Sequence, residues 1–169
     1  MDINKKIYHD KNLNLEGNTI TREAVRGIII KNKKILMIFS SKNGDYKFPG
    51  GGIEAEETPE EALKREIKEE CGALVTKIKE NIGKIIEFKK AVEKDYDVFK
   101  MTSYYYICEI EENKFDLCLD QYEKELGFNP EWINFDLAIQ KNKAILNSAS
   151  KKAPRWTKRD TYVMEQIKK

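Results

Sequence analysis

Residues 51–73 read GGIEAEETPEEALKREIKEECGA, and the fold is decided there. Thr58-Pro59-Glu60-Glu61 is a helix start: threonine suits the N-cap, proline the first helical position, and Glu61 completes a capping box. Gly72 is the matching stop, so the spacing predicts a helix from Pro59 to Cys71. At roughly 100° per residue, Glu66, Glu69 and Glu70 fall within an arc of about 100°. Ala62 lies inside that arc, with Leu63 and Ile67 beside it, while Glu61, Lys64 and Lys68 occupy the far side. The carboxylates therefore border the apolar edge of the helix. Three like charges so placed repel one another, and partial burial adds to the cost. A hard divalent cation with oxygen ligands removes that cost, and magnesium leaves positions for phosphate oxygens. The plainer reading is a solvated acidic face pairing with Lys64 and Lys68.

Outward from the helix the pattern is mostly strand. Pro49-Gly50-Gly51-Gly52 interrupts regular structure upstream. Residues 23–30 and 35–39 are β-branched and apolar around Lys31–Lys34, which predicts a hairpin. Asn43-Gly44-Asp45 is a turn, followed by a short strand at 46–48. Downstream, strands are expected at 74–79, 82–88, 99–110 and 132–135. A helix over 136–146 would be capped by Asp136, and a final one over 157–168 by Thr157. Residues 1–20 are polar, with an edge strand at 3–8. No repeat or linker divides the chain, so residues 1–169 form one domain. Strands that precede helices and include hairpins indicate an α+β fold with a mixed sheet.

Composition narrows the function. The 169 residues are 40% hydrophobic and 36% charged, with a net charge of +2. That balance gives no general case for nucleic-acid binding. The longest apolar runs fall well short of the roughly 20 residues of a membrane span. The first six residues carry no apolar run of the secretory kind. Cys71, Cys108 and Cys118 form no C-x-x-C pair and read as reduced thiols of a cytoplasmic protein. His9 is the single histidine and reads as a surface residue, so a histidine-rich zinc site is excluded. Chemistry falls to carboxylates, lysines, tyrosines or a bound metal.

Gly51, Glu57, Arg65, Glu66, Ile67, Glu69, Glu70 and Gly72 stand at the spacing G-x5-E-x7-R-E-U-x-E-E-x-G-U. This resembles the Nudix box, including the preceding Phe48-Pro49-Gly50. The one departure is Ala73, smaller than the usual final aliphatic. The resemblance implies the family's α/β/α sandwich, with the box as a loop-helix-loop. It implies a Mg2+-dependent hydrolase (Mn2+ as the alternative) that cleaves a diphosphate bond in a nucleoside triphosphate or other nucleoside diphosphate derivative. Glu66, Glu69 and Glu70 match the family's metal-binding glutamates, and Glu66 or Glu70 also its water-activating base. Glu57 matches the glutamate that orients Arg65 or assists a metal, and Arg65 the arginine that ties loop to helix. The Gly50 or Gly51 carbonyl is a further candidate metal ligand, since glycine lets the chain approach closely. An acidic residue outside the box is also expected, with Glu123 preferred over Glu109, Glu111, Glu112 and Glu125.

Tyr46, Lys47, Phe48, Gly50 and Gly51 are the expected substrate contacts. Alternation sends Tyr104 and Tyr106 to one face of a strand and Tyr105 to the other, and a ring on the site face could stack on a base. The basic stretch 151–159 reads as a loop and helix cap with Trp156 packed on the domain; its alternative is a phosphate contact. The expected partner is a small nucleotide-type molecule, with no membrane and no clear nucleic acid; a homodimer stays open. Three alternatives remain: a nucleotide-sensing module without turnover, an ADP-ribose or dinucleoside polyphosphate hydrolase, and an RNA-directed enzyme.

Overall fold

The computed structural model describes residues 2–150 and 152–168. Among these described residues, eight strands and four helices follow in order: β1 (Ile3–Tyr8), β2 (Thr19–Ile28), β3 (Ile30–Lys31), β4 (Lys34–Ser40), β5 (Asp45–Lys47), α1 (Pro59–Cys71), β6 (Leu74–Lys90), β7 (Val98–Glu111), α2 (Gln121–Glu125), β8 (Phe128–Asn134), α3 (Phe135–Leu146) and α4 (Arg155–Ile167).

The strands form two sheets. One has the order β1-β6-β7-β2 and is mixed: β6 and β7 are antiparallel, while β1 runs parallel to β6 and β2 parallel to β7. In the other, β4 pairs antiparallel with β3, β5 and β8. Apolar side chains collect in two main clusters. Leu63 and Ile67 of α1 meet Val25, Leu36 and Val75 in one. Ile139 of α3 and Met164 of α4 meet Ile28, Met37 and Tyr105 in the other. The layering is therefore helix, sheets, helices, as the α+β reading expects.

Helix α1 has both expected ends. Thr58 Oγ1 accepts from Glu61 N while the Glu61 side chain accepts from Thr58 N, and Gly72 closes the helix in the left-handed conformation. Elsewhere the structure corrects the sequence reading. The expected hairpin shrinks to the two-residue β3 against β4, because β2 pairs instead with β7. The expected strands at 74–79 and 82–88 are one strand, carried through by register shifts at Val75/Lys77, Ile78/Glu80 and Asn81/Gly83. Strand β8 begins at Phe128, since its whole length pairs with β4. The cap of α3 is Asn134, whose Oδ1 accepts from Asp136 N, and not Asp136. Helix α4 begins at Arg155, ahead of Thr157, with no side-chain cap. Thr157 is buried within it, and its Oγ1 donates to Asp45 Oδ2 at 2.6 Å.

Candidate active site

Helix α1 buries Ala62, Leu63, Glu66, Ile67 and Glu70. These positions form one stripe of a 3.6-residue helix, so the two glutamates enter with the apolar residues. The apolar three seat the helix on β2 and β6. Glu66 and Glu70 stand at the edge of that contact, against the glycine turn. Gly50 has φ +136°, a conformation that favours glycine, and its N–H donates to Glu70 Oε2 at 2.7 Å. Gly51 lies beneath Glu66, where a Cβ would come within 2.5 Å of the carboxylate. The glycines thus let the turn approach both carboxylates closely.

Arg65 fastens the loop to the helix. Its Nε and Nη2 donate to the two oxygens of Glu57 at 2.8 and 2.9 Å, and Nη2 also donates to Gly52 O at 2.9 Å. Its Nη1 reaches Glu66 at 2.7 Å and Glu69 at 3.4 Å. The hydrogen bond to Glu57 leads in raising the Arg65 pKa above its ordinary range, and the same bond lowers that of Glu57.

A third carboxylate arrives from α2. Cys118 N donates to Glu69 O, and Lys114 N and Phe115 N donate to Gly72 O, which ties the preceding loop to the end of α1. Asp120 caps α2, and Glu123 Oε2 accepts from Asp120 N at 2.9 Å, leaving Oε1 outside the capping box. Glu66, Glu70 and Glu123 each offer an oxygen within 4.8 Å of the others. Burial, reinforced by the charge of Glu70, raises the Glu66 pKa. Burial also raises that of Glu70, although Lys47 opposes it.

Four cations, Arg26, Lys47, Arg155 and Arg159, share the lining of a cavity of about 280 Å³ with Glu66, Glu123, Met101, Phe128 and Trp156. Lys47 Nζ donates to Glu70 Oε1 at 2.5 Å and to Gly50 O at 3.3 Å. Arg26 Nη1 donates to the same carbonyl at 2.5 Å, while its Nε is buried with no hydrogen-bond partner among the described residues. Burial, then repulsion from Arg159, lowers the Arg26 pKa. Arg159 pairs with Glu87 at 3.0 Å and with Asp160 at 2.7 Å. Asp160 Oδ2 also accepts from Phe48 N at 3.0 Å, so α4 holds the strand end that leads into the glycine turn.

The expected site residues divide accordingly. Glu66, Glu123, Lys47, Gly50 and Gly51 line the cavity, and Glu70 lies buried beside them within reach of Glu66 and Glu123. Glu57 and Arg65 brace it from the side. Glu69 lies outside the carboxylate group and faces Arg65. The Gly50 carbonyl already accepts from Arg26 and Lys47, and the Gly51 carbonyl from Val25 N. Tyr46 and Phe48 alternate away from Lys47 into the core: Tyr46 bonds Glu131 and Phe48 packs edge-on against Tyr105. Tyr104, Tyr105 and Tyr106 do not line the cavity. His9 is no free surface residue; its Nε2 lies 2.9 Å from Glu87 Oε1. Trp156 packs on Phe128 and donates to Asp45, while also lining the cavity; Lys151 of the same basic stretch is outside the described residues. The sequence reading missed Arg26 and Glu87, and reached Arg159 only as the end of the basic stretch 151–159. An arginine inside the apolar run 24–30 is a signal for the first; nothing local marks Glu87.

The NUDIX domain family matches residues 21–156. The chain belongs to the Nudix family. Over 63 residues it is 51% identical to an ADP-ribose pyrophosphatase of Methanocaldococcus jannaschii, a match covering 36% of this chain and 37% of that protein. Over 48 residues it is 48% identical to an RNA pyrophosphohydrolase of a Marinomonas species, covering 27% of this chain and 30% of that protein. The matched stretches thus span about a third of each curated relative. Among solved structures, the MutT protein from Bacillus halodurans superposes with a TM-score of 0.57 at 20% identity, over 86% of this chain and 81% of that one, a likeness of fold. No helix among the described residues is long and apolar enough to cross a membrane, and the three cysteines are free.

Proposed function

We propose that this Nudix chain hydrolyses a diphosphate linkage in a nucleotide-type substrate, with Mg2+ as cofactor and Mn2+ as its alternative. The observation that carries the reading is the meeting of Glu66, Glu70 and Glu123, from two helices, beside a cavity walled by Arg26, Lys47 and Arg159. The donor set fits a hard cation: three carboxylates, two of them buried, with their charge only partly offset by Lys47 on Glu70 and Arg65 on Glu66. Glu66, Glu70 and Glu123 would hold the ion, which supplies charge neutralisation at the phosphate oxygens and a more acidic bound water.

The chain's own groups do the rest. Arg65 and Glu57 keep the glycine loop at a fixed distance from α1, which sets where a diphosphate can lie. Arg26 and Lys47 face developing negative charge from positions already fixed by Gly50, so little reorganisation accompanies the reaction. Glu123, with Oε2 tied to backbone and Oε1 outside that bond, is the group we assign to accept the proton of the attacking water. Glu69 acts through Arg65, as a positioning residue.

The named relatives act on substrates as different as ADP-ribose and RNA, over matches too short to choose between them. A panel of nucleoside triphosphates, nucleotide sugars, dinucleoside polyphosphates, ADP-ribose and 5′-triphosphorylated RNA, with and without Mg2+, tests the proposal once both products are identified. Glu70→Gln and Glu123→Gln are expected to lower kcat at least a hundredfold. Wild-type rates in both variants, or no Mg2+-dependent cleavage of any panel member, would overturn it.

A further inference from the structure

A groove of about 700 Å³ continues from the catalytic cavity, sharing Tyr122, Arg155 and Trp156 with it. Its walls come from the end of β1, the β4–β5 turn, β6 and the start of α4. They carry Lys42, Lys89, Lys152, Arg155 and Lys158 against a single acid, Asp10. None of those five cations forms an ion pair among the described residues. The acid is already engaged, since Asp10 Oδ2 accepts from Lys90 N at 2.8 Å. The chain as a whole has 31 lysines and arginines against 29 acids, so the imbalance is local.

Three further observations point to an anionic, base-bearing occupant. Lys89 and Arg155 both stand over the Phe99 ring, at 4.8 and 5.5 Å, and burial together with Arg155 pushes the Lys89 ammonium below its ordinary value. Helix α4 opens here with no side-chain cap and no acid of its own in its first turn, and Asp45, the carboxylate against that turn, is taken up by the Trp156 and Thr157 side chains. Two aromatic rings are open among the cations. Tyr8 is 48% exposed while stacked on Phe88 at 5.0 Å, and Tyr122 is 59% exposed. Cations interleaved with open rings suit a single strand, whose phosphates are spaced by flat bases.

We infer that the substrate continues beyond its diphosphate into this groove as a single-stranded oligonucleotide, with Lys42, Lys89, Lys152 and Lys158 on its phosphates and Tyr8 and Tyr122 on its bases. The inference rests on the hydrolase reading for the chemistry at the strand's 5′ end. A mononucleotide occupies the cavity alone and leaves the groove empty.

The test uses a hexanucleotide with a 5′-phosphate and a 3′-fluorescein, titrated with the full chain in EDTA, so that binding is read without turnover. Wild type is expected to bind with a slope of log K against log salt of about −0.7 per phosphate contacted. Lys42→Glu/Lys152→Glu/Lys158→Glu changes three exposed side chains. It is expected to bind at least tenfold more weakly, with a slope shallower by about 2 and an unchanged melting temperature. With Mg2+, its ratio of kcat/KM for a 5′-triphosphorylated strand to that for the mononucleotide is expected to fall at least tenfold. Equal affinity and slope in both proteins, or an unchanged ratio, overturns the inference. Mononucleotide hydrolysis without strand binding also overturns it and leaves the hydrolase reading standing. Lysine-dependent strand binding without turnover of either substrate supports the groove and removes the hydrolase reading instead.

Discussion

Gly51 is the residue on which the carboxylate group leans most directly. A methyl group there would lie 2.5 Å from the Glu66 carboxylate, so Gly51→Ala must push Glu66 aside. The variant is expected to bind Mg2+ on the order of tenfold more weakly, as when a group that orients a metal ligand is altered. Isothermal titration reads this directly, and wild-type affinity in the variant would contradict the placement. Glu87 gives a prediction in pH. Burial pushes its carboxyl up, but the Arg159 charge and hydrogen bonds from His9 and Arg159 outweigh that and hold it at about 2. Its folded pKa is therefore below the unfolded value, so this stabilisation is complete above about pH 4.5 and is lost as pH falls towards about 2. Its size is roughly 3 kcal/mol. The stability advantage of wild type over Glu87→Gln, measured by urea unfolding, should shrink by roughly three-quarters of that from pH 6 to pH 2.5. An advantage that stays constant would mean the pair does not hold Glu87 ionised. The sequence makes Glu66 and Glu70 legible, because they fall with Ala62, Leu63 and Ile67 on one helical stripe. Glu69 lies at the outer margin of the same arc, and Arg65, only one turn away, takes it; an arc of about 100° cannot resolve that difference.

At the scale of the element, α1 could be read almost whole, because both its ends are local chemistry. The Thr58–Glu61 box and Gly72 are decided within a few residues of each terminus. Thr58→Ala is expected to cost about 1 kcal/mol. That would lower the melting temperature by about 2–4 °C in a chain of this size, measurable by calorimetry. No shift would mean that packing, not capping, fixes the start of α1. Helix α4 shows why the same reasoning fails elsewhere. Thr157 has the right chemistry for a cap, but its hydroxyl is taken by Asp45, which lies 112 positions away. The strands fail similarly. Residues 23–30 look like half of a hairpin, yet β2 finds a parallel partner in β7, a pairing that no neighbouring residue announces. Strand β6 looks like two strands because its register shifts interrupt the alternation on which a sequence reading depends.

At the scale of the molecule, the cavity draws on the chain from Arg26 to Arg159. Glu66 and Glu70 are buried and offer oxygens within 4.8 Å of each other and of Glu123, and the repulsion among three such carboxylates bears on stability. Under the proposed function, Mg2+ at about 100 times its dissociation constant should add about 2.7 kcal/mol. The expected rise in melting temperature is about 5–10 °C over the protein in EDTA. Glu66→Gln/Glu70→Gln should abolish the rise, and a rise that survives in the double variant would place the ion elsewhere. The box at residues 51–73 made the helix and two of the carboxylates visible. Arg26, Glu87 and Arg159 meet only because β2, β6 and α4 pack together, and no stretch of sequence records that meeting.

The hydrogen bond from Phe48 N to Asp160 Oδ2 has a consequence for synthesis of the chain. Translation delivers every residue of the box long before it delivers Asp160. Until α4 has emerged from the ribosome, Phe48 lacks its partner, Arg159 is absent from the wall, and the turn that carries Gly50 has no anchor on that side. A messenger interrupted between those two points would yield a polypeptide bearing the whole family signature and only part of the cleft it serves.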